Sequence, residues 1–297
     1  MPMPIRAQVD AYQSQIIFSL QARGYEQIMP MRISYQLSDN TDLSPVQGIL
    51  RAHYPKQGLV IIKWEINING ALAGLGSLYH EIYVLKHLLA TSSQYLPSII
   101  AHYPALTFAD YQTATVLITK DCGNDLRAML RQKSLTDKFK IIQRIAAALC
   151  ELHHAGWLHN DIKPSNILCS KDNFVTLCDF ALSCPTHNNA APMGTPAYLA
   201  PERWHGQPAT AQTDIYAFGV LVYEVLAGQR PYQIDTAQVE NNTTHAWAMQ
   251  HCQAPLPKLP EKYTHWQQII EGCLAKHKNN RYRDMLEVLA ALNEVNR

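Results

Sequence analysis

Two hydrophobic periodicities alternate along this chain. Between Arg6 and Arg23 the apolar positions Val9, Tyr12, Ile16, Ile17 and Leu20 recur at helical spacing and Gly24 closes the stripe, which predicts an N-terminal helix. From Ile33 to Trp64 the period shortens. Ile33–Leu37, Gly48–Ala52 and Gly58–Lys63 are short β-branched and apolar runs broken by Pro and Gly, the pattern of a small antiparallel sheet. Ser98–Tyr103 and Ala114–Thr119 supply two more strands, five in all. Between the third and fourth, Ser77 is placed to cap a helix whose Leu78, Leu85 and Leu88 share a face with Glu81, so Glu81 is expected to point toward the sheet. Beyond Thr119 the pattern turns helical. Thr136–Ala155 carries a stripe of Phe139, Ile141, Ile142, Ile145, Leu149 and Leu152 ended by Gly156, and Asn166–Cys169 with Phe174–Cys178 suits a hairpin. Asp214–Gly228 is almost wholly apolar, a core helix with an acid at its start. The fold class expected is α+β and bilobal: a five-stranded antiparallel sheet with one main helix, then a larger, mostly helical lobe.

At 297 residues the chain exceeds what one hydrophobic core usually organises, and 47% hydrophobic content supports full burial. The net charge of +1, with no basic run, argues against nucleic acid or an anionic membrane as partner. Seven cysteines, odd in number and never spaced C-x-x-C, suit reduced thiols better than disulfides or zinc. The thirteen histidines include no His-x-x-x-His pair, so no metal site on His or Cys is expected. No stretch reaches eighteen apolar residues and no basic-then-apolar leader opens the chain, so a soluble, cytoplasmic protein is expected. The oligomeric state is left open.

One stretch carries chemistry: His159-Asn160-Asp161-Ile162-Lys163-Pro164-Ser165-Asn166, followed by Asp179-Phe180-Ala181. Asp161 can accept the proton of an attacking hydroxyl, Lys163 can neutralise charge on a transferring group, and Asn166 with Asp179 can hold magnesium on a triphosphate. Asp and Asn also crowd ordinary surface turns. Here they stand between an apolar helix and an apolar strand, with further motifs following in order. The stretch resembles the catalytic loop H-R-D-x-x-x-x-N and metal-binding turn D-F-G of the eukaryotic-like serine/threonine protein kinases, with Asn160 for arginine and Ala181 for glycine.

That resemblance implies more. Val60-Ile61-Ile62-Lys63 is similar to the V-A-I-K strand, whose lysine meets the α- and β-phosphates of ATP and pairs with a helix glutamate, here Glu81, eighteen residues on. Counting back from Lys63 aligns the glycine-rich loop with Leu43-Ser44-Pro45-Val46-Gln47-Gly48-Ile49-Leu50, where only Gly48 matches. Leu43, Gly48 and Leu50 are the nucleotide-covering residues on this count. Pro45 has no N–H and a fixed φ, so phosphate cradling is expected to be poorer than usual, and Ile61 in place of alanine crowds the adenine. Gly70–Gly76 lacks the third glycine of a dinucleotide fingerprint and reads as a flexible lead-in. By likeness to the family hinge, Thr119 and Asp121 offer backbone groups to adenine, Ile118 guards the back pocket, Asp125 reaches the ribose and Leu168 forms the floor.

Gly194-Thr195-Pro196-Ala197-Tyr198-Leu199-Ala200-Pro201-Glu202 resembles the end of the family's activation segment, with Thr195 near Asp161 and Lys163. Asp214 is implied to anchor the catalytic-loop backbone, and Glu202 to pair with Arg281. Asn160 cannot read a phosphate as the family's arginine does, so activity is expected without phosphorylation of Ser183, Thr186 or Thr195. Ala181 is expected to restrict the turn while leaving Asp179 in place. The domains expected are a helical extension over 1–32, an N-lobe over 33–118, and hinge plus C-lobe over 119–297. The function implied is ATP- and magnesium-dependent phosphorylation of serine or threonine in a protein substrate. Two alternatives stay open: a nucleotide-binding pseudokinase scaffold, and a small-molecule kinase on the same fold.

Overall fold

The stripe of apolar residues near the N-terminus becomes helix α1 (Ile5–Gln21), which buries Val9, Tyr12, Ile16 and Leu20. The computed structural model describes residues 5–34, 45–66, 74–108, 112–130, 133–186, 194–235 and 243–295. The chain divides into two units, one of Met1–His87 with Pro97–Asp121, the other of Leu88–Leu96 with Cys122–Arg297.

In the first unit, strands β1 (Glu26–Ser34), β2 (Val46–Tyr54), β3 (Gly58–Ile66), β4 (Ile99–Phe108) and β5 (Gln112–Lys120) form an antiparallel sheet in the order β1-β2-β3-β5-β4. Side chains alternate between its faces. Leu50, Val60, Ile62, Val116 and Ile118 point to the face that α1 covers, forming one apolar cluster with Val9, Ile16 and Leu20. Lys63 points to the other face, where helix α2 (Leu78–Leu88) lies. Ser77 opens that helix by accepting the His80 N–H at 3.1 Å, and Leu78 and Leu85 are buried beside Glu81.

The first strand begins earlier than its sequence suggests. It runs from Glu26, so residues 26–32 are strand rather than helical extension, while Tyr35–Leu37 lie outside the described residues. The physical reason is its place at the sheet edge. Most of β1 is exposed, Pro30 is tolerated where its missing N–H costs no ladder bond, and register shifts at Glu26/Met29 and Pro30/Arg32 break the two-residue alternation.

In the second unit a short strand β6 (Asn124–Asp125) leads into α3 (Leu126–Leu130) and α4 (Leu135–His154), which Ser134 caps by accepting the Asp137 N–H. Then follow β7 (Trp157–Leu158), the hairpin β8 (Ile167–Cys169) with β9 (Val175–Leu177), and β10 (Cys184–Pro185), which pairs with β7. The helices α5 (Pro201–Trp204), α6 (Ala211–Ala227), α7 (Thr243–Gln253), α8 (Gln267–Leu274) and α9 (Met285–Val295) complete the described part. Thirteen of the seventeen residues of α6 are buried, so this helix is the centre of the unit's core. Among the described residues no helix is long and apolar enough to cross a membrane.

One histidine in this core carries a pH dependence. His251 is fully buried among Trp204, Tyr216, Tyr232 and Trp247, with Nδ1 2.9 Å from the Tyr216 hydroxyl. Burial, and then the nearby Lys276 cation, push its pKa down from 6.5 to about 3. Between those two values the unfolded chain binds a proton that the folded chain does not, so stability falls as pH falls through the window. Urea unfolding at pH 7 and at pH 3 should show wild type losing on the order of 4 kcal/mol more than His251→Gln. Equal losses would mean that His251 is not the group responsible.

Candidate active site

The loop after α4 is held from below by a buried acid. Asp214, on the first turn of α6, accepts the His159 N–H at 2.8 Å and the Asn160 N–H at 2.9 Å, and meets His153 Nε2 at 2.9 Å. Burial raises the Asp214 pKa, but the His153 hydrogen bond and charge outweigh it and the net shift is downward. His159 is also buried; its ring lies 3.2 Å from the Cys178 carbonyl and 5.1 Å from the Phe180 ring, and burial leaves its pKa below the ordinary value. The loop is thus set on two core elements before any reacting group is reached.

Asp161, 8% exposed, receives four hydrogen bonds on its carboxylate. Oδ1 accepts from the Thr195 N–H at 3.0 Å and the Thr195 hydroxyl at 2.7 Å; Oδ2 accepts from Lys163 Nζ at 2.6 Å and Asn166 Nδ2 at 2.9 Å. Burial raises its pKa, and Lys163 with Thr195 more than offset that, holding the carboxyl below the usual range. Lys163 also donates to the Thr195 hydroxyl at 2.8 Å. A base, a cation and a hydroxyl on the later segment are therefore one hydrogen-bonded group.

Asn166 spends its NH2 on Asp161, and its Oδ1 accepts the Ser165 hydroxyl at 3.3 Å. The Cys178 N–H donates to the Asn166 carbonyl at 2.9 Å, so the β8–β9 pairing brings Asp179 next to Asn166. Both offer oxygen donors, which suits magnesium, a hard cation that takes one or two protein oxygens together with phosphate oxygens. Among the described residues no cluster of three or more His, Cys, Asp or Glu holds a metal alone. Asp179 has φ 67° whereas Ala181 has an ordinary φ, so the turn places its left-handed residue at the acid and the missing glycine costs no strain. Phe180 is fully buried.

Asn160 replaces a cation with an amide. It sits at φ 65°, a conformation asparagine tolerates, and its Nδ2 donates to the Leu182 carbonyl at 3.0 Å and to Cys184 Sγ at 3.1 Å. The start of the activation segment is thereby fastened through protein groups. Ser183 is fully buried with its hydroxyl on the His159 carbonyl, the Thr195 hydroxyl is shared between Asp161 and Lys163, and Thr186 is exposed. Residues 187–193 lie outside the described residues and contain no Ser, Thr or Tyr. Phosphatase treatment, verified by intact mass, should therefore leave turnover unchanged; loss of turnover would show that a phosphate does what Asn160 is assigned.

In the first unit Lys63 Nζ donates to both carboxylate oxygens of Glu81, at 2.8 and 2.9 Å, and Glu81 is 3% exposed. Sheet register revises the residues expected around this pair, because residues directly opposite in a ladder share a face. Ile49 is opposite Lys63 and Leu50 opposite Ile62, so Leu50 is in the core under α1 and Ile49 is the residue beside Lys63. The count of the nucleotide-covering loop therefore moves by one residue, setting Asp42, Ser44 and Gln47 where the family has glycines. Leu43 lies outside the described residues. Gly48 has a packing reason instead: a Cβ there would fall 2.2 Å from the Trp64 indole on the α1 face. Ile118 is opposite Ile62 and buried under α1, whereas Thr119 is opposite Ile61 on the Lys63 face, so Thr119 and not Ile118 has the orientation of a pocket guard. The Asp121 N–H donates to the Leu59 carbonyl and its carboxylate pairs with Arg51 at 2.7 Å, so neither is an open adenine contact.

In the second unit Asp125 Oδ1 accepts the Ala128 N–H, opening α3, and Asp125 pairs with Leu168 across β6–β8. Two groups had no sequence signal short of a contact map. His153 braces Asp214. The Tyr198 hydroxyl donates to Glu224, which Arg127 also meets at 2.8 Å. Glu202 and Arg281 form a bidentate pair at 2.9 and 2.7 Å.

A family model described as the protein kinase domain matches residues 67–291. The chain is 32% identical over 181 residues to the serine/threonine-protein kinase PknA of Mycobacterium tuberculosis, covering 58% of this chain and 40% of that protein. It is 29% identical over 201 residues to a probable serine/threonine-protein kinase of Clostridium acetobutylicum, covering 63% of this chain and 29% of that protein. It is 34% identical over 163 residues to a probable serine/threonine-protein kinase PknB of Lactococcus lactis, covering 52% and 25%. The chain thus spans between a quarter and two fifths of the length of these relatives. The kinase PK-1 of Cydia pomonella granulovirus shares the fold, with a TM-score of 0.65 at 19% identity over 94% of this chain and 97% of that one.

Proposed function

We propose, on the premise that this chain belongs to the protein kinase family, that it transfers the γ-phosphoryl group of ATP to a serine or threonine hydroxyl of a protein substrate. The observation that carries this reading is the convergence of Lys163, Thr195 and Asn166 as donors on the Asp161 carboxylate. In it Asp161, kept ionised, takes the proton of the attacking hydroxyl, and Lys163 lies where charge builds on the transferring group. Asn166 and Asp179 are the residues that would hold magnesium. When bound, the metal supplies neutralisation of charge developing on the phosphate oxygens. Lys63, oriented by Glu81, is the proposed partner of the α- and β-phosphates. With Thr119 assigned as guard, the backbone groups offered to adenine become those of Lys120 and Cys122, with Ile49 and Ile61 against the ring.

The loss of all three loop glycines gives a scaffold reading its one specific support. Two measurements separate the readings. Mg-ATP at about 100 times its dissociation constant should stabilise the chain by roughly 2.7 kcal/mol, read as a melting shift; no shift would refute both. Transfer of labelled phosphate to protein should then accompany binding, and binding without transfer would leave the scaffold.

A further inference from the structure

Lys63 is not the only residue of β3 that reaches α2. Glu65, two positions on and on the same face, is 4% exposed, and its Oε2 accepts the Leu78 N–H at 3.2 Å. The same oxygen accepts from Gln47 Nε2 at 2.6 Å, and Gln47 is directly opposite Glu65 in the β2–β3 ladder. One buried carboxylate thus joins the start of β2, the end of β3 and the first residue of α2.

We propose that Glu65 is a positioning residue for the Lys63–Glu81 pair and that Gln47 extends its hold to the start of β2, an inference that rests on the kinase reading above. A single ion pair leaves a helix free to pivot about the contact. Leu78 and Glu81 are three residues apart, close to one turn, so contacts at both fix the helix in rotation and in slide along its axis. The carboxylate stands at the positive end of the α2 dipole and takes two N–H donors, which offsets the cost of burying its charge. The sequence has no glycines where phosphates are usually cradled. Gln47, at the position of the third glycine, is instead tied to the strand that carries Lys63. In this chain the geometry of the phosphate-binding lysine is secured by a side-chain latch.

A helix cap alone would change stability and nothing else, so the test separates the two. In the full chain, Glu65→Ala is compared with Ile16→Ala, a truncation in the α1 core on the opposite face of the sheet. Glu65→Ala should raise the KM for ATP by about ten-fold and speed hydrogen exchange across α2. Ile16→Ala, with a comparable loss of Tm, should leave KM within about two-fold. Glu65→Gln, whose amide oxygen still accepts both N–H groups, should restore KM to within about three-fold of wild type. An unchanged KM and unchanged α2 exchange in Glu65→Ala would overturn the proposal. Should that variant fail to fold, Gln47→Leu removes only the β2 arm, and an ATP KM identical to wild type would overturn it equally. Failure of the kinase reading looks different: the wild-type chain itself would transfer no labelled phosphate to protein, with or without a Mg-ATP melting shift.

Discussion

Asp161→Ala is expected to lower the turnover number by about 10²–10⁴-fold while Mg-ATP still raises the melting temperature. The carboxylate is the acceptor on which Thr195, Lys163 and Asn166 converge. Removing it takes away the proposed base and the acceptor shared by all three. Asp161→Asn should be no milder, because every group facing the carboxylate is a donor and an amide NH2 would meet another donor. The measurement is transfer of labelled phosphate to protein at saturating ATP, with the melting shift as the control for binding. Since Lys163 and Thr195 hold the Asp161 pKa below 3.8, the base stays ionised down to that range. Protonation of Asp161 is therefore lost as a cause of any fall in rate above about pH 5. An Asp161→Asn variant with wild-type turnover would remove Asp161 as the base.

Glu202→Ala and Arg281→Met each cost about 3–5 kcal/mol of unfolding free energy, the largest stability effect expected in the second unit. The Arg281 side chain is 0% exposed and that of Glu202 4%. Besides the bidentate pair, Arg281 donates to the Gln212, Ala275 and Lys276 carbonyls, and Glu202 accepts the Thr213 hydroxyl. Truncating either partner leaves a buried charge uncompensated. Burial raises the Glu202 pKa and Arg281 more than reverses this, so the pair's contribution is present above 4.5 and is lost as pH falls through the lower folded value. The double variant Glu202→Leu with Arg281→Met should lose less than the sum of the singles. Urea unfolding of the four proteins checks both statements; singles within about 1 kcal/mol of wild type would show the pair to be marginal.

Residues whose placement depends on neighbours in the chain were legible. Asp161, Lys163 and Asn166 lie within six positions of one another, and a short hairpin returns the chain to Asp179, so spacing alone brings them together. Lys63 and Glu81 were legible because an ionic residue in an apolar strand requires a partner and one acidic residue stood on the facing helix. Where side-chain direction mattered the letters misled by one position. Leu50 and Ile118 are apolar residues in apolar strands, and nothing in their identity tells which of two buried faces they occupy. In a sheet covered on both sides, alternation of polar and apolar residues no longer marks the face. The edge strand β1 was displaced for the opposite reason, since exposure and two register shifts erase its period.

Local periodicity and short spacing along the chain were enough for the order of elements, the α+β class and the family. What the letters left open is which face each sheet residue takes, that Asp121 is committed to Leu59 and Arg51, that Glu65 reaches α2 and that Gln47 reaches Glu65. Those outcomes depend on ladder register and on contacts between segments far apart in sequence. A one-residue slip in register reverses every side chain while leaving the composition of the strand unchanged.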